Sequence, residues 1–145
     1  MRHIQTQIII NAPSERVWHV LTDTERYPEW NPFLQSLSGT LAVGEKLRVT
    51  IQPPGASAMT FTPVVKVMQP QQELKWLGSG PIKGLFDGEH SFVLEAQADG
   101  STRFIHSEKF TGILIGFMKK MLDNTEVGFQ QMNEALKKEC ERTTA

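Results

Sequence analysis

Cysteine is almost missing from this chain, and tyrosine too: Cys140 and Tyr27 are single examples among 145 residues. A lone cysteine excludes an internal disulfide and suits a reducing compartment, so a cytoplasmic location is expected. An excess of basic charge is also lacking, with 15 Lys and Arg against 16 Asp and Glu and a formal net charge of -1. Nucleic-acid binders generally carry a concentrated basic face, so no nucleic-acid partner is expected. The apolar run Ile8 to Ile10 is too short for a membrane span or a secretory signal, which argues against stable membrane insertion. His3, His19, His90 and His106 show no metal-binding spacing, and no G-x-S-x-G or phosphate loop occurs, so neither metal nor cofactor is expected.

What remains is an ordinary globular composition, 39% hydrophobic and 21% charged, on a chain long enough to bury a core without staples. HIQTQIII reads as a strand ending at Asn11. Pro13 fits a first helical position, and Val17, Val20 and Leu21 recur at helical spacing. Asp23 or Thr24 can cap a second, shorter helix that Pro28 stops.

From Leu34 to Thr111 the apolar period is two, and about six strands follow one another as a meander. Met59, Phe61, Val65 and Val67 share one face. Gly78, Gly80, Gly84 and Gly88 lie between strands, where they bend a sheet or open a cavity mouth. The end of the chain changes to helical period. Met118, Leu122, Thr125, Phe129, Met132, Leu136 and Cys140 form one narrow stripe on a helix from about Ile115 to Glu141. With no repeat or linker in view, residues 1–145 are expected to form one domain.

YPEWNPF, Tyr27 to Phe33, sets three aromatic residues and two prolines in seven positions. Proline lacks an N–H and disfavours helical geometry before it, so irregular backbone is expected from Glu29 to Pro32. Its aromatic side chains either seal the end of the core or form the rim of an opening.

The order strand, two helices, meander and long final helix describes an α+β helix-grip fold: a bent antiparallel sheet of about seven strands wrapped around a C-terminal helix. NAPSERVWHVLTD, YPEWNPF, GEHSFVLEAQADGSTRFIHSEKFTG and MNEALKKECE carry a resemblance to the START and pollen-allergen-like superfamily (SRPBCC). The nearest branch is the bacterial polyketide cyclase/dehydrase-like one. The resemblance implies a cavity between sheet and long helix, with Trp30 and Phe33 near one end. It does not specify a chemistry, because the superfamily includes carriers, receptors, cyclases and chaperone cofactors.

Around Asp99 and Gly100 two hairpin registers compete. A three-residue loop with a left-handed Gly100 buries more aromatic area, and it sets Leu94 opposite Phe104, Phe92 opposite His106, and His90 opposite Glu108. Two histidines and a carboxylate then share the concave face. Such groups cost several kcal/mol, roughly 2 to 7 each, if buried without partners. They either satisfy one another, orient a polar ligand group, or transfer a proton; no catalytic role is assigned. Trp30, Phe33, Phe61, Trp76, Phe92 and Phe110 are the candidate apolar contacts from loop and sheet. Met118, Met121, Leu122 and Phe129 are those from the helix.

The first functional reading is therefore a binder of a hydrophobic small molecule, lipid-like or aromatic, acting as a monomer or weak homodimer. The second is a cyclase or dehydratase using His90, His106 and Glu108. The third is a chaperone-cofactor-like interaction module, which would want an exposed apolar stripe that the pattern does not show.

Overall fold

The computed structural model describes residues 1–79 and 84–142. Strand β1 (Arg2–Ile10) leads through Pro13 into helix α1 (Ser14–Thr22). Glu15 in the first turn of α1 faces the positive end of its dipole, and Val17, Trp18, Val20 and Leu21 are its buried face. A 3-10 turn (Thr24–Arg26) then runs into α2 (Tyr27–Trp30).

Pro28 does not stop that helix. It lies in the first turn of α2, where its missing N–H has no helical partner to lose, so Glu29 and Trp30 are helical and only the segment after them is irregular. Asn31 organises that segment: its Oδ1 accepts the backbone N–H of Phe33 at 3.0 Å and of Leu34 at 2.8 Å.

Seven strands follow: β2 (Leu34–Ser38), β3 (Arg48–Ile51), β4 (Met59–Phe61), β5 (Val64–Gln69), β6 (Glu73–Ser79), β7 (Asp87–Ala96) and β8 (Thr102–Thr111). With β1 that makes eight among the described residues, one more than the alternation suggests. The stretch from Met59 to Val67 breaks at Pro63, which cannot donate to a ladder. Its first half joins a three-stranded sheet β2-β3-β4, and its second half a five-stranded sheet β1-β8-β7-β6-β5. Leu47 donating to the Pro63 carbonyl and Val65 to that of Glu45 stitch the two together. Gly78 and Gly88 are paired across β6 and β7, whereas Gly80 lies outside the described residues.

The hairpin of β7 and β8 has the three-residue loop. Gly100 sits at φ 90°, in the left-handed region, and the register pairs His90 with Glu108, Phe92 with His106 and Leu94 with Phe104. A one-residue slip would turn this whole inward set outward.

Helix α3 (Lys119–Glu141) lies across the concave side of the sheet. It buries Leu122, Thr125, Phe129, Met132, Leu136 and Cys140, together with Gly128 and Asn133. Fully burying one such large apolar side chain contributes about 1.5–3 kcal/mol. Met118 stands at the helix N-cap, partly buried. The helix starts later than the stripe suggests, because Ile115–Phe117 form a separate 3-10 turn and Met118 has a non-helical backbone. Beside that interruption Ile113, Leu114 and Phe117 are exposed. Among the described residues, no helix is long and apolar enough to cross a membrane.

Candidate functional site

The space between the two sheets and the N-terminal half of α3 is a cavity of about 60 Å³. Phe33, Val49, Ile51, Met59 and Phe61 wall it on one side, with Trp76, Phe86 and Phe110 on the other, and Met121 and Thr125 of α3 close it. Pockets for drug-sized molecules are typically about 300 Å³ or more. A ligand of that size must therefore displace side chains, and Met59 and Met121 are the adaptable ones, since an unbranched thioether repacks at low cost.

The polar part of the wall is the end of a hydrogen-bonded line. At its far end the Thr6 hydroxyl donates to the backbone carbonyl of His106 at 3.0 Å. A carbonyl can only accept, so the Thr6 oxygen is left to accept from Asn133 Nδ2 at 2.8 Å. Asn133 Oδ1 then faces His106 Nδ1 at 2.9 Å and takes its N–H. In the neutral imidazole that leaves His106 Nε2 as an acceptor, and His90 Nε2 donates to it at 2.7 Å. His90 Nδ1 is thereby the acceptor nitrogen, and it faces Glu108 Oε1 at 3.4 Å. One backbone carbonyl fixes the polarity of the whole line.

Burial drives the protonation states the same way. It lowers His106 to about 3, against the opposing hydrogen bond from Asn133. Burial, then the neighbouring His106, holds His90 well below the ordinary histidine range. Burial alone pushes the Glu108 carboxyl up to about 8. The ion pair that the residue types suggest for His90 and Glu108 is thus replaced at neutral pH by a neutral acid beside a neutral imidazole: desolvation exceeds the attraction between the charged forms. Gly88 makes room for this acid, because a Cβ there would lie 2.2 Å from Glu108 Oε2.

Of the residues singled out in the sequence, Phe33, Phe61, Trp76, His90, Glu108, Phe110 and Met121 line the cavity. Phe92, His106, Leu122 and Phe129 are fully buried behind it, with His106 stacked on Phe129 at 3.9 Å between ring centroids. Trp30 is off the wall, edge-on to Tyr27 at 5.5 Å, and Met118 is off it as well. YPEWNPF therefore seals and lines the interior, and Phe33, 1% exposed, is no exposed rim. Tyr27 is a plug whose hydroxyl donates to the Leu21 carbonyl, while Phe33 is cavity wall.

Sequence reasoning missed Val49, Ile51, Met59, Phe86 and Thr125 as wall residues, and Thr6 and Asn133 as the anchor of the polar line. Asn133 left a signal: it falls one turn beyond Phe129, at the edge of the inward stripe, where a lone amide needs a partner. Among the described residues, no group of His, Cys, Asp and Glu could hold a metal ion.

Comparison with solved structures gives the same architecture. A protein from Mesorhizobium loti superposes with a TM-score of 0.77 at 19% identity, covering 99% of this chain and 100% of its own. The Zhui aromatase/cyclase from Streptomyces sp. R1128 gives 0.78 at 16% identity, covering 97% and 94%. A hypothetical protein from Helicobacter pylori gives 0.80 at 14% identity, covering 97% and 88%. At such identities the likeness concerns the fold, here the helix-grip fold. No curated protein matches the chain. Residues 1–141 match the family described as polyketide cyclase / dehydrase and lipid transport, and to that family this chain belongs.

Proposed function

We propose that this protein binds an uncharged hydrophobic small molecule, aromatic or lipid-like, in the cavity between its sheets and α3. The observation that carries the reading is the composition of the wall: mostly aromatic, aliphatic and methionine side chains, with Glu108 and His90 as its ionisable groups among the described residues. Such a mixture fits a ligand that is mostly apolar and held in orientation at one point. The reading includes a single domain, a cytoplasmic location that suits the buried Cys140, and action as a monomer or weak homodimer.

The test is a fluorescence titration with the neutral probe N-phenyl-1-naphthylamine, beside the variant Met121→Trp, which fills the cavity. Saturable binding by the parent and its loss in the filled variant support the reading. Equal, non-saturating signals in both would sink it.

A second reading is favoured by the pairing at Glu108. A protonated carboxyl within 3.4 Å of an unprotonated imidazole nitrogen is an acid next to a base, which is the equipment of a cyclase or dehydratase. Glu108→Gln would then leave ligand affinity nearly intact and reduce turnover by about a hundredfold or more.

A further inference from the structure

The links of the polar line are not equal. From Thr6 to His90 they measure 2.7 to 3.0 Å, all ordinary hydrogen bonds. The last, from His90 Nδ1 to Glu108 Oε1, is 3.4 Å, beyond the usual N to O range. That loose link is also the one whose two members both line the cavity. The inner end of the line is locked by a backbone carbonyl, so the mismatch cannot be relieved from behind. A carboxylic O–H is left poorly used, and it stands at the cavity wall.

We propose that the cavity selects its ligand by charge and by one atom: it takes an apolar molecule whose uncharged oxygen, ketone or hydroxyl, accepts the Glu108 proton, and it rejects carboxylates. This rests on the cavity reading above and names the ligand chemistry of that site. A ketone oxygen completes the unused donor; a hydroxyl completes it and can also donate to His90 Nδ1. A carboxylate would meet the imidazole lone pair in a desolvated space where the described residues supply no cation to offset it. Among the described residues on the wall, Glu108 and His90 are the ionisable ones.

Among the described residues, none places a counter-charge beside Glu108. On β7 it faces Gly88 and His90, and on its own strand His106 and Phe110. Its β1 partner is Ile4. Further along β1 the Arg2 guanidinium is held by Asp123 of α3 at 2.5 Å, and the α3 residues on the cavity are Met121 and Thr125. The three-stranded sheet contributes Val49, Ile51, Met59 and Phe61. The donor is consequently present at neutral pH and lost as the carboxyl ionises near pH 8, so a ketone ligand is released on the alkaline side.

The experiment is calorimetric titration with three naphthalenes of similar size: 2-acetonaphthone, 2-ethylnaphthalene and 2-naphthoate, at pH 6.5 and pH 9, on the parent and on Glu108→Gln. The parent should bind the ketone about tenfold more tightly than the hydrocarbon at pH 6.5, the scale of one buried hydrogen bond. It should lose that margin at pH 9, and naphthoate should not bind at either pH. Glu108→Gln keeps an N–H donor that does not ionise, so its preference for the ketone should persist at pH 9. Equal affinity for ketone and hydrocarbon at pH 6.5, or binding of naphthoate, would overturn the selection while leaving the cavity reading standing. Failure of all three probes to bind would overturn both.

Discussion

The two halves of α3 meet the same sheet and do different things with it. The helix as a whole packs against β1, β8 and α1, and its C-terminal half buries Phe129, Met132, Leu136 and Cys140. The N-terminal half presents Met121 and Thr125 to a cavity instead. Three local features make the difference. Phe33 fills the space over Gly128, where a Cβ would stand 2.5 Å from its ring. Beyond that ring the small sheet stands opposite β6 to β8 and the wall contains two methionines. Gly88 removes a side chain where Glu108 needs room. Solid packing supplies stability in one half, and incomplete packing leaves an opening in the other.

Truncation should break the packed half first. Leu136→Ala should cost about 2–5 kcal/mol, the range for a fully buried leucine, whereas Met121→Ala at the cavity should cost less than half as much. Denaturant midpoints of the two variants measure this directly. Equal losses would mean that the halves are packed alike.

Protonation gives the next largest effect. Above about pH 4.5 the folded protein keeps a proton on Glu108 that the unfolded chain releases, so stability falls as pH rises toward 8. Below about pH 6.5 the unfolded chain protonates two histidines that the folded protein keeps neutral, so stability also falls toward acid. Between pH 4.5 and 6.5 the two histidines outweigh the one carboxyl. The stability maximum should therefore lie near pH 6.5. Glu108→Gln should be more stable than the parent by on the order of a few kcal/mol at pH 9, with no advantage below pH 4. Thermal melting across pH would detect it; an advantage that grows toward acid would reverse the assigned protonation states.

Gly128→Ala tests the boundary between the halves. The added methyl must push Phe33 from its place, costing about 1–3 kcal/mol as overpacking does. It should also weaken probe binding, because Phe33 is cavity wall. Stability unchanged and binding unchanged would show that Phe33 is not the divider.

The smallest effect is optical. Trp76 is on the wall and Trp30 is not, so Trp76→Phe should abolish the emission change caused by a bound naphthalene and Trp30→Phe should leave it. The opposite pattern would move the site to the far side of α2.

Much of this was legible before the fold. The stripe from Leu122 to Cys140 fixes which face of α3 is inward because helical periodicity reports burial directly. The His90 to Glu108 pairing followed from a left-handed Gly100 and the choice of the more aromatic face. What periodicity could not show was where packing stops. Phe92 and Phe110 lie on the same face of the sheet, yet one is behind the cavity and the other on it. Thr6 and Asn133 were invisible as a pair, being 127 positions apart in the chain. Pro63 and Pro28 were misjudged in opposite ways: one breaks a strand that the alternation ran through, and the other starts a turn it was expected to end.

On the proposed function ligand enters one half of this space and not the other, and the methionines report on it. Met59 and Met121 line the cavity, whereas Met132 is fully buried in the packed half. NMR spectra of the protein with carbon-13 methionine methyls, titrated with 2-acetonaphthone at pH 6.5, should show saturable shifts of Met59 and Met121 while Met132 stays in place. Shifts at the exposed Met1 alone, or none at Met59 and Met121 up to saturation of the probe, would contradict it.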